Sequence, residues 1–158
     1  MKRKTGLNTL VGAVSGALPP LIGWAGAGGG FDLFAPYFLF GLLFLWQLPH
    51  FVAINWMYRE EYESAGFMMW SNGDLDGNKT ANLAIVFSLV LVGLILMSLF
   101  ANFVNLLVII GLVFLTLFKV VFAFKFKLSP SRDKAKRLFL FTLLYLPVSL
   151  TLLILGWK

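Results

Sequence analysis

Apolar runs dominate this chain, and the few polar residues act as punctuation between them. Asn8 or Thr9 can open a first helix that reaches about Ala27. Pro19-Pro20 removes backbone donors in its middle, which predicts a kink or break. Carbonyls freed at membrane depth must be buried in protein or line a cavity. Gly12, Ser15, Gly16 and Ala17 give this helix a small-residue face suited to close packing. Gly28-Gly29-Gly30 reads as a turn, and Asp32 is a candidate N-cap for a second span, about Leu33 to Tyr58. The stretch Thr80 to Phe118 carries no charge and is too long for one crossing. Asn102 to Asn105 divides it into a third span, about Ala81 to Ala101, and a fourth, about Asn105 to Phe124. Lys125 to Arg137 reads as a basic loop around Ser129-Pro130. A last span follows from about Leu138 to Leu155, with Trp157-Lys158 as an interfacial anchor. The pattern predicts an all-α polytopic membrane helix bundle of about five transmembrane helices. Residues 1–158 form a single transmembrane domain on this reading.

Composition supports that class. Hydrophobic residues make up 59% and charged residues only 13%, with mean hydropathy +0.87, where a soluble domain carries about a quarter charged residues. The basic start, Met1-Lys2-Arg3-Lys4, resembles a signal-peptide n-region. The apolar run behind it holds two prolines and continues too far for an h-region, so we expect a span. The absence of cysteine excludes disulfides and thiolate chemistry. The net charge of +6 could suggest a nucleic-acid partner, but its distribution argues against one. With five alternating spans, twelve of the thirteen basic residues fall on one face. The positive-inside rule makes that face cytoplasmic, together with the N-terminus and an acidic loop at residues 59–79. The expected location is the cell inner membrane, with the lipid bilayer as solvent and no nucleic acid as partner.

The candidate chemistry concentrates around residues 46–79. Trp46-Gln47-Leu48-Pro49-His50-Phe51 places a glutamine, a proline and the single histidine in an apolar span, where polar groups are costly and usually functional. If the helix continues from Leu43 to Glu61, Gln47, His50, Ile54 and Glu61 share one stripe, a polar seam from mid-bilayer to the surface. Glu60, Glu61, Glu63, Asp74 and Asp76 could hold a hard cation such as Mg²⁺, with Arg59 and Lys79 beside it for phosphate oxygens. From spacing alone the same acids more simply describe a solvated loop, since acids after a span are common. His50 is open to proton transfer, to a haem or metal contact, or to a hydrogen bond inside the bundle. Trp46, Phe51, Trp56 and Tyr58 can line an apolar pocket or simply sit near an interface.

Trp46-Gln47-x-Pro49-His50-Phe51 followed by Arg59-x-x-Tyr62-x-x-Ala65-Gly66 resembles the hallmark of the protoheme IX farnesyltransferase (haem O synthase) family, intramembrane prenyltransferases of the UbiA superfamily. The likeness extends to Lys2-Arg3-Lys4-Thr5-x-x-Asn8, Gly12, Gly16-Ala17-x-Pro19-Pro20 and Gly23-Trp24 on one side. On the other it includes Ala135-x-Arg137-Leu138-Phe139 and Tyr145-Leu146-Pro147. Glu61 stands where the family usually has Asp, and Met68-Met69 where it often has Pro-Met. Family members are about twice as long, with nine helices and a first acidic motif that has no counterpart here. The chain therefore resembles the C-terminal half of that fold.

The resemblance implies farnesyl transfer from farnesyl diphosphate to a vinyl group of haem B, forming haem O. It implies Mg²⁺ held by Glu61 with Glu60, and a diphosphate met by Arg59 and, more weakly, Lys79. Gln47, His50 and Asn8 would face the acceptor cavity, with Trp46 and Tyr62 among the substrate-binding residues. His50, Glu61 and Arg59 would be the catalytic set. A missing N-terminal half and haem A synthase are the partners it suggests, and the chain alone would be inactive for want of the first motif. The alternatives are a non-catalytic membrane scaffold or assembly half-protein, or a transporter subunit. A transporter should show inverted repeats, and none is visible here.

Overall fold

The computed structural model describes residues 8–158, and every named element in them is helical. They are α1 (Asn8–Ala17), α2 (Pro19–Gly26), α3 (Phe34–Met57), α4 (Arg59–Ser64), α5 (Asn78–Ala101), α6 (Leu106–Leu128) and α7 (Arg132–Leu155). Five stretches are long and apolar enough to cross a bilayer: Thr9–Gly26, α3, α5, α6 and α7. The first is broken at Leu18, just before the proline pair, as the missing backbone donors predict.

Central to the bundle is α3, which packs on α1, α2, α5 and α7, while α6 closes against α5 and α7. Near one end the core is large: Phe38, Leu42, Leu91, Ile95, Leu112, Tyr145 and Leu153. Toward the other end it narrows to Ala53, Ala84 and Ala123, and the helices can approach closely there. Against lipid there is no water to expel, so this packing rather than apolar burial holds the helices together. Phe100, Leu107 and Phe114 accordingly stay exposed on the outside, where hydrocarbon solvates them.

Several expectations need correction. The stretch Lys125 to Arg137 is no loop: α6 runs on to Leu128 and α7 starts at Arg132, leaving a three-residue turn, Ser129–Ser131. Lysines at the end of α6 complement its dipole, and the Ser131 hydroxyl caps α7 by accepting from the Lys134 N–H at 3.3 Å. Asp32 does not cap α3, because the N-cap position is Leu33, one residue later, with no side-chain cap. On α1 only Ala13 and Ala17 are buried, whereas Gly12, Ser15 and Gly16 are exposed, Gly16 lying against the Gln47 side chain.

Lys119 is not on the surface with the other basic residues. It lies inside α6 at 0% exposure, with its Nζ 4.5 Å from the centre of the Tyr145 ring and without a hydrogen-bond partner. The Thr116 hydroxyl donates to the Leu112 carbonyl, so the Tyr145 hydroxyl, 2.9 Å from it, is the donor of their bond. That arrangement leaves the ring face to the ammonium.

The other end of the bundle is tied by backbone. Val104 and Trp157 form an antiparallel bridge, and Asn105 N–H donates to the Gly156 carbonyl at 2.9 Å. Asn102 ends α5 in the left-handed conformation (φ 51°), which asparagine tolerates.

Candidate functional site

Where α3 gives out, α4, the loop 65–77 and the start of α7 converge. Pro49 has no N–H for the Leu45 carbonyl, which loosens α3 one turn before its last stretch. At Tyr58 the backbone leaves the helical region (φ −113°, ψ 26°), and α4 starts afresh at Arg59. The continuous stripe from Gln47 to Glu61 therefore does not exist. Gln47 faces α1, its Nε2 donating to the Ala13 carbonyl at 2.7 Å. A Cβ on Gly16 would lie 2.6 Å from Gln47 Oε1, so glycine at that position is what admits the amide. The glutamine clamps α1 to α3.

His50 instead faces α7. Its ring stacks between Trp46 (5.6 Å) and Phe139 (4.6 Å), and its Nδ1 lies 2.9 Å from Thr142 Oγ1. Thr142 donates its only hydroxyl hydrogen to the Phe139 carbonyl at 2.6 Å. The hydroxyl must therefore accept from the ring, so Nδ1 carries the hydrogen and Nε2 of the neutral imidazole keeps its lone pair. The indole N–H of Trp46 donates to the Thr142 carbonyl at 2.6 Å. Thr142 thus fixes both rings.

The charged residues sit beyond the break. Arg59 lies over Trp56 at 4.5 Å, donates to the Trp56 carbonyl at 3.1 Å and pairs with Glu60 at 3.3 Å. Its buried Nε has no partner. Glu61 is exposed, and it borders a cavity of about 170 Å³ with Trp56, Met57, Arg59, Glu60 and Arg132. Tyr62 packs edge-on against Phe67. Lys79 is exposed on the first turn of α5 and borders neither this cavity nor the one described next. Asn8 opens α1, but its side chain lies outside the described residues.

The five acids do not act as one cluster. Asp74 is 8% exposed, and its two carboxylate oxygens accept from the Lys79 and Thr80 N–H groups at 3.0 and 2.8 Å. It serves as the cap of α5, the residue nearest the helix being Gly77 at φ +62°, where a Cβ would come within 2.8 Å of Phe126. The Asp74 carbonyl also accepts from the Trp56 indole at 2.8 Å, which pins the loop onto α3. Glu63 accepts from Gly73 N–H at 3.2 Å. Among the described residues no three His, Cys, Asp or Glu side chains gather into a metal-sized group.

Four residues of α7 belong to this region and escape a reading of the α3 motif: Arg132, Lys136, Phe139 and Thr142. With Ile54, Met57, Tyr58, Asp133 and Leu140, the first three border a cavity of about 410 Å³. Their signal was the 132/136/139/140 spacing, one helical face running from basic to apolar. It is hidden when the segment is taken as loop.

The fold and the site together define a multi-pass membrane protein with an amphiphilic, charged pocket at one end of its bundle. The chain belongs to the UbiA prenyltransferase family, which it matches over residues 1–145. It is 36% identical to a protoheme IX farnesyltransferase of Solibacter usitatus across 98% of this chain and 53% of that protein. It is 35% identical to one of Salinibacter ruber across 99% and 55%. A shorter stretch, 43% of the chain, is 56% identical to the protoheme IX farnesyltransferase of Alkalihalophilus pseudofirmus, covering 22% of it. The chain spans about half the length of the first two relatives. No solved structure matches it.

Proposed function

We propose that this chain is the C-terminal half of an intramembrane prenyltransferase that moves farnesyl from farnesyl diphosphate to a vinyl group of haem B, giving haem O. The observation that carries this reading is the cavity where Arg59 and Arg132 meet Glu60 and Glu61, next to a second cavity that shares Arg132 and reaches Phe139 of the His50 stack. In the reaction the C1–O bond of the allylic diphosphate breaks and diphosphate leaves with the electron pair. The vinyl terminus attacks C1, water adds to the resulting cation, and one proton is released. Arginines aimed at the leaving oxygens stabilise the developing charge. The apolar wall of the adjoining cavity, Ile54, Met57, Phe139 and Leu140, would keep water from the allylic cation. His50 presents one basic nitrogen, Nε2, and it is the atom that would receive a proton or meet haem iron.

Mg²⁺ commonly binds through one or two carboxylates plus substrate phosphates. Glu60 and Glu61 on one small cavity fit that habit, and they are the residues that would hold it. The ion would neutralise charge on the phosphate oxygens. Asp74 is spent as a cap and is left out of this set. Gln47 holds α1 to α3 and Trp46 stacks on His50, which fixes the part of α3 that leads into the site. A segment carrying a first acidic motif would complete the site, and haem A synthase would take the product onward.

The test is haem O formation in membranes containing this chain, with and without the N-terminal half of a related enzyme. Haem O is expected only when both are present together with farnesyl diphosphate. Robust turnover by the purified chain alone would overturn the incomplete-site reading. Its complete absence in the reconstituted pair would favour the scaffold reading.

The proposed location is the cell inner membrane, with the loop 65–77 and the α6–α7 turn both cytoplasmic. The Trp56–Phe126 contact at 4.8 Å and the position of Arg132 over Tyr58 put these segments at the same end of the bundle. Reporter fusions at Asn72 and Arg132 are expected to give the same cytoplasmic signal. A periplasmic signal at either site would reject this orientation.

A further inference from the structure

We propose that Arg132 and Lys136 seat the phosphate end of the prenyl diphosphate, and that the cavity beside them holds the first part of its chain. The class of the ligand follows from the cavity, and its identity rests on the farnesyl-transfer reading above. The cavity, about 410 Å³, falls within the usual size of small-molecule sites. Its lining changes character along α7. Arg132 and Lys136 lie one turn apart, and Phe139 and Leu140 follow on the same face. At 1.5 Å per residue, Leu140 lies about 12 Å along the axis from Arg132. Ile54 and Met57 complete the apolar wall from α3. A free anion would not need such a wall, and a hydrocarbon would not need the cations. An amphiphile with an anionic head needs both.

The cations are uncommitted. Among the described residues the one ion pair is Arg59 with Glu60. Arg132 rests over the Tyr58 ring at 5.4 Å, and this stacking leaves the edge of its guanidinium free to donate. Asp133 borders the same cavity without pairing to either cation. Arg132 also borders the smaller cavity with Arg59, Glu60 and Glu61, so a phosphate on Arg132 would lie beside both carboxylates. At the far wall Phe139 stacks on His50 at 4.6 Å, and a chain laid along this wall is led toward the imidazole. Anionic phospholipid shares this chemistry, and the experiment separates the two.

Equilibrium binding to the purified 158-residue chain in detergent with Mg²⁺ would compare farnesyl diphosphate, farnesol and inorganic diphosphate. Wild type is expected to bind farnesyl diphosphate at least tenfold tighter than either of the others. Arg132→Gln and Lys136→Gln should each weaken it about tenfold and leave farnesol unchanged, whereas Asp133→Asn should hold or tighten it. Unchanged affinity in the double variant overturns this proposal and leaves farnesyl transfer standing, since Glu61 variants report on that separately. If that double variant instead loses co-purified phosphatidylglycerol, the pocket belongs to a lipid headgroup and the proposal fails. A wild type that does not distinguish farnesyl diphosphate from farnesol overturns this proposal, while farnesyl transfer is judged by haem O formation in the reconstituted pair.

Discussion

Replacing Glu61 by glutamine is expected to lower haem O formation about a hundredfold, the usual cost of removing one electrostatic partner of a transition state. The amide keeps the shape and loses the charge that a shared cation requires. Glu61→Asp should retain or raise activity, because the resembling family usually carries aspartate there. Glu63→Gln should matter far less: that carboxylate is engaged with Gly73 N–H and does not border the cavity. The readout is haem O per unit of membrane protein, with the N-terminal half of a related enzyme supplied. Equal activity in Glu61→Gln and wild type would return the acidic segment to the status of a solvated face.

Asp74→Ala should produce the largest loss of stability among the loop acids, about 2 kcal/mol, as expected when charge-assisted caps are removed. Two N–H groups at the start of α5 would lose their acceptors, and the loop that holds the Trp56 indole would loosen. Asp74→Asn keeps one acceptor and should lose about half as much. Asp76→Ala, on an exposed neighbour, should be nearly neutral. Thermal unfolding in detergent distinguishes these outcomes. Matching losses at Asp74 and Asp76 would show that the cap is not what stabilises the loop.

The spans were legible because the signal for crossing a membrane is coarse. Uncharged length marks the crossings, and residues such as Pro19-Pro20 and Asn102–Asn105 mark the breaks. What sequence misjudged were places where charge or phase was read too simply. Lys125 to Arg137 looks like a loop if charge is equated with irregular backbone, yet helices project past the bilayer and carry lysines at their ends. The Gln47–Glu61 stripe assumed an unbroken helix, and one residue, Tyr58, resets its phase. Asp74 reads as a ligand among acids until its two oxygens are found on backbone N–H groups. The candidate site was half visible: the stretch from α3 into α4 offers His50 and Glu61 as candidates, and nothing in it points across to Arg132, Lys136 and Thr142. Those partners are set by the register between helices, which spacing along one helix does not contain.

Lys119 has a consequence for how the chain enters the membrane. An ammonium at the centre of a helix costs about 2.5–3.5 kcal/mol during insertion, and α6 keeps a mean hydropathy of 2.8 over 18 residues with the lysine included, apolar enough to carry it in. Synthesis runs from N to C, so α6 emerges before the Tyr145 ring that will cover the charge exists. During that interval the lysine must reach toward headgroups at the Leu128 end, about 14 Å along the axis. The turn Ser129–Ser131 is too short to let α7 wander, so it arrives next to α6 and the side chain can swing inward onto its ring. Entry of the two helices as a hairpin is what this short turn favours, and in the folded bundle the last crossing completes the burial of the one before it.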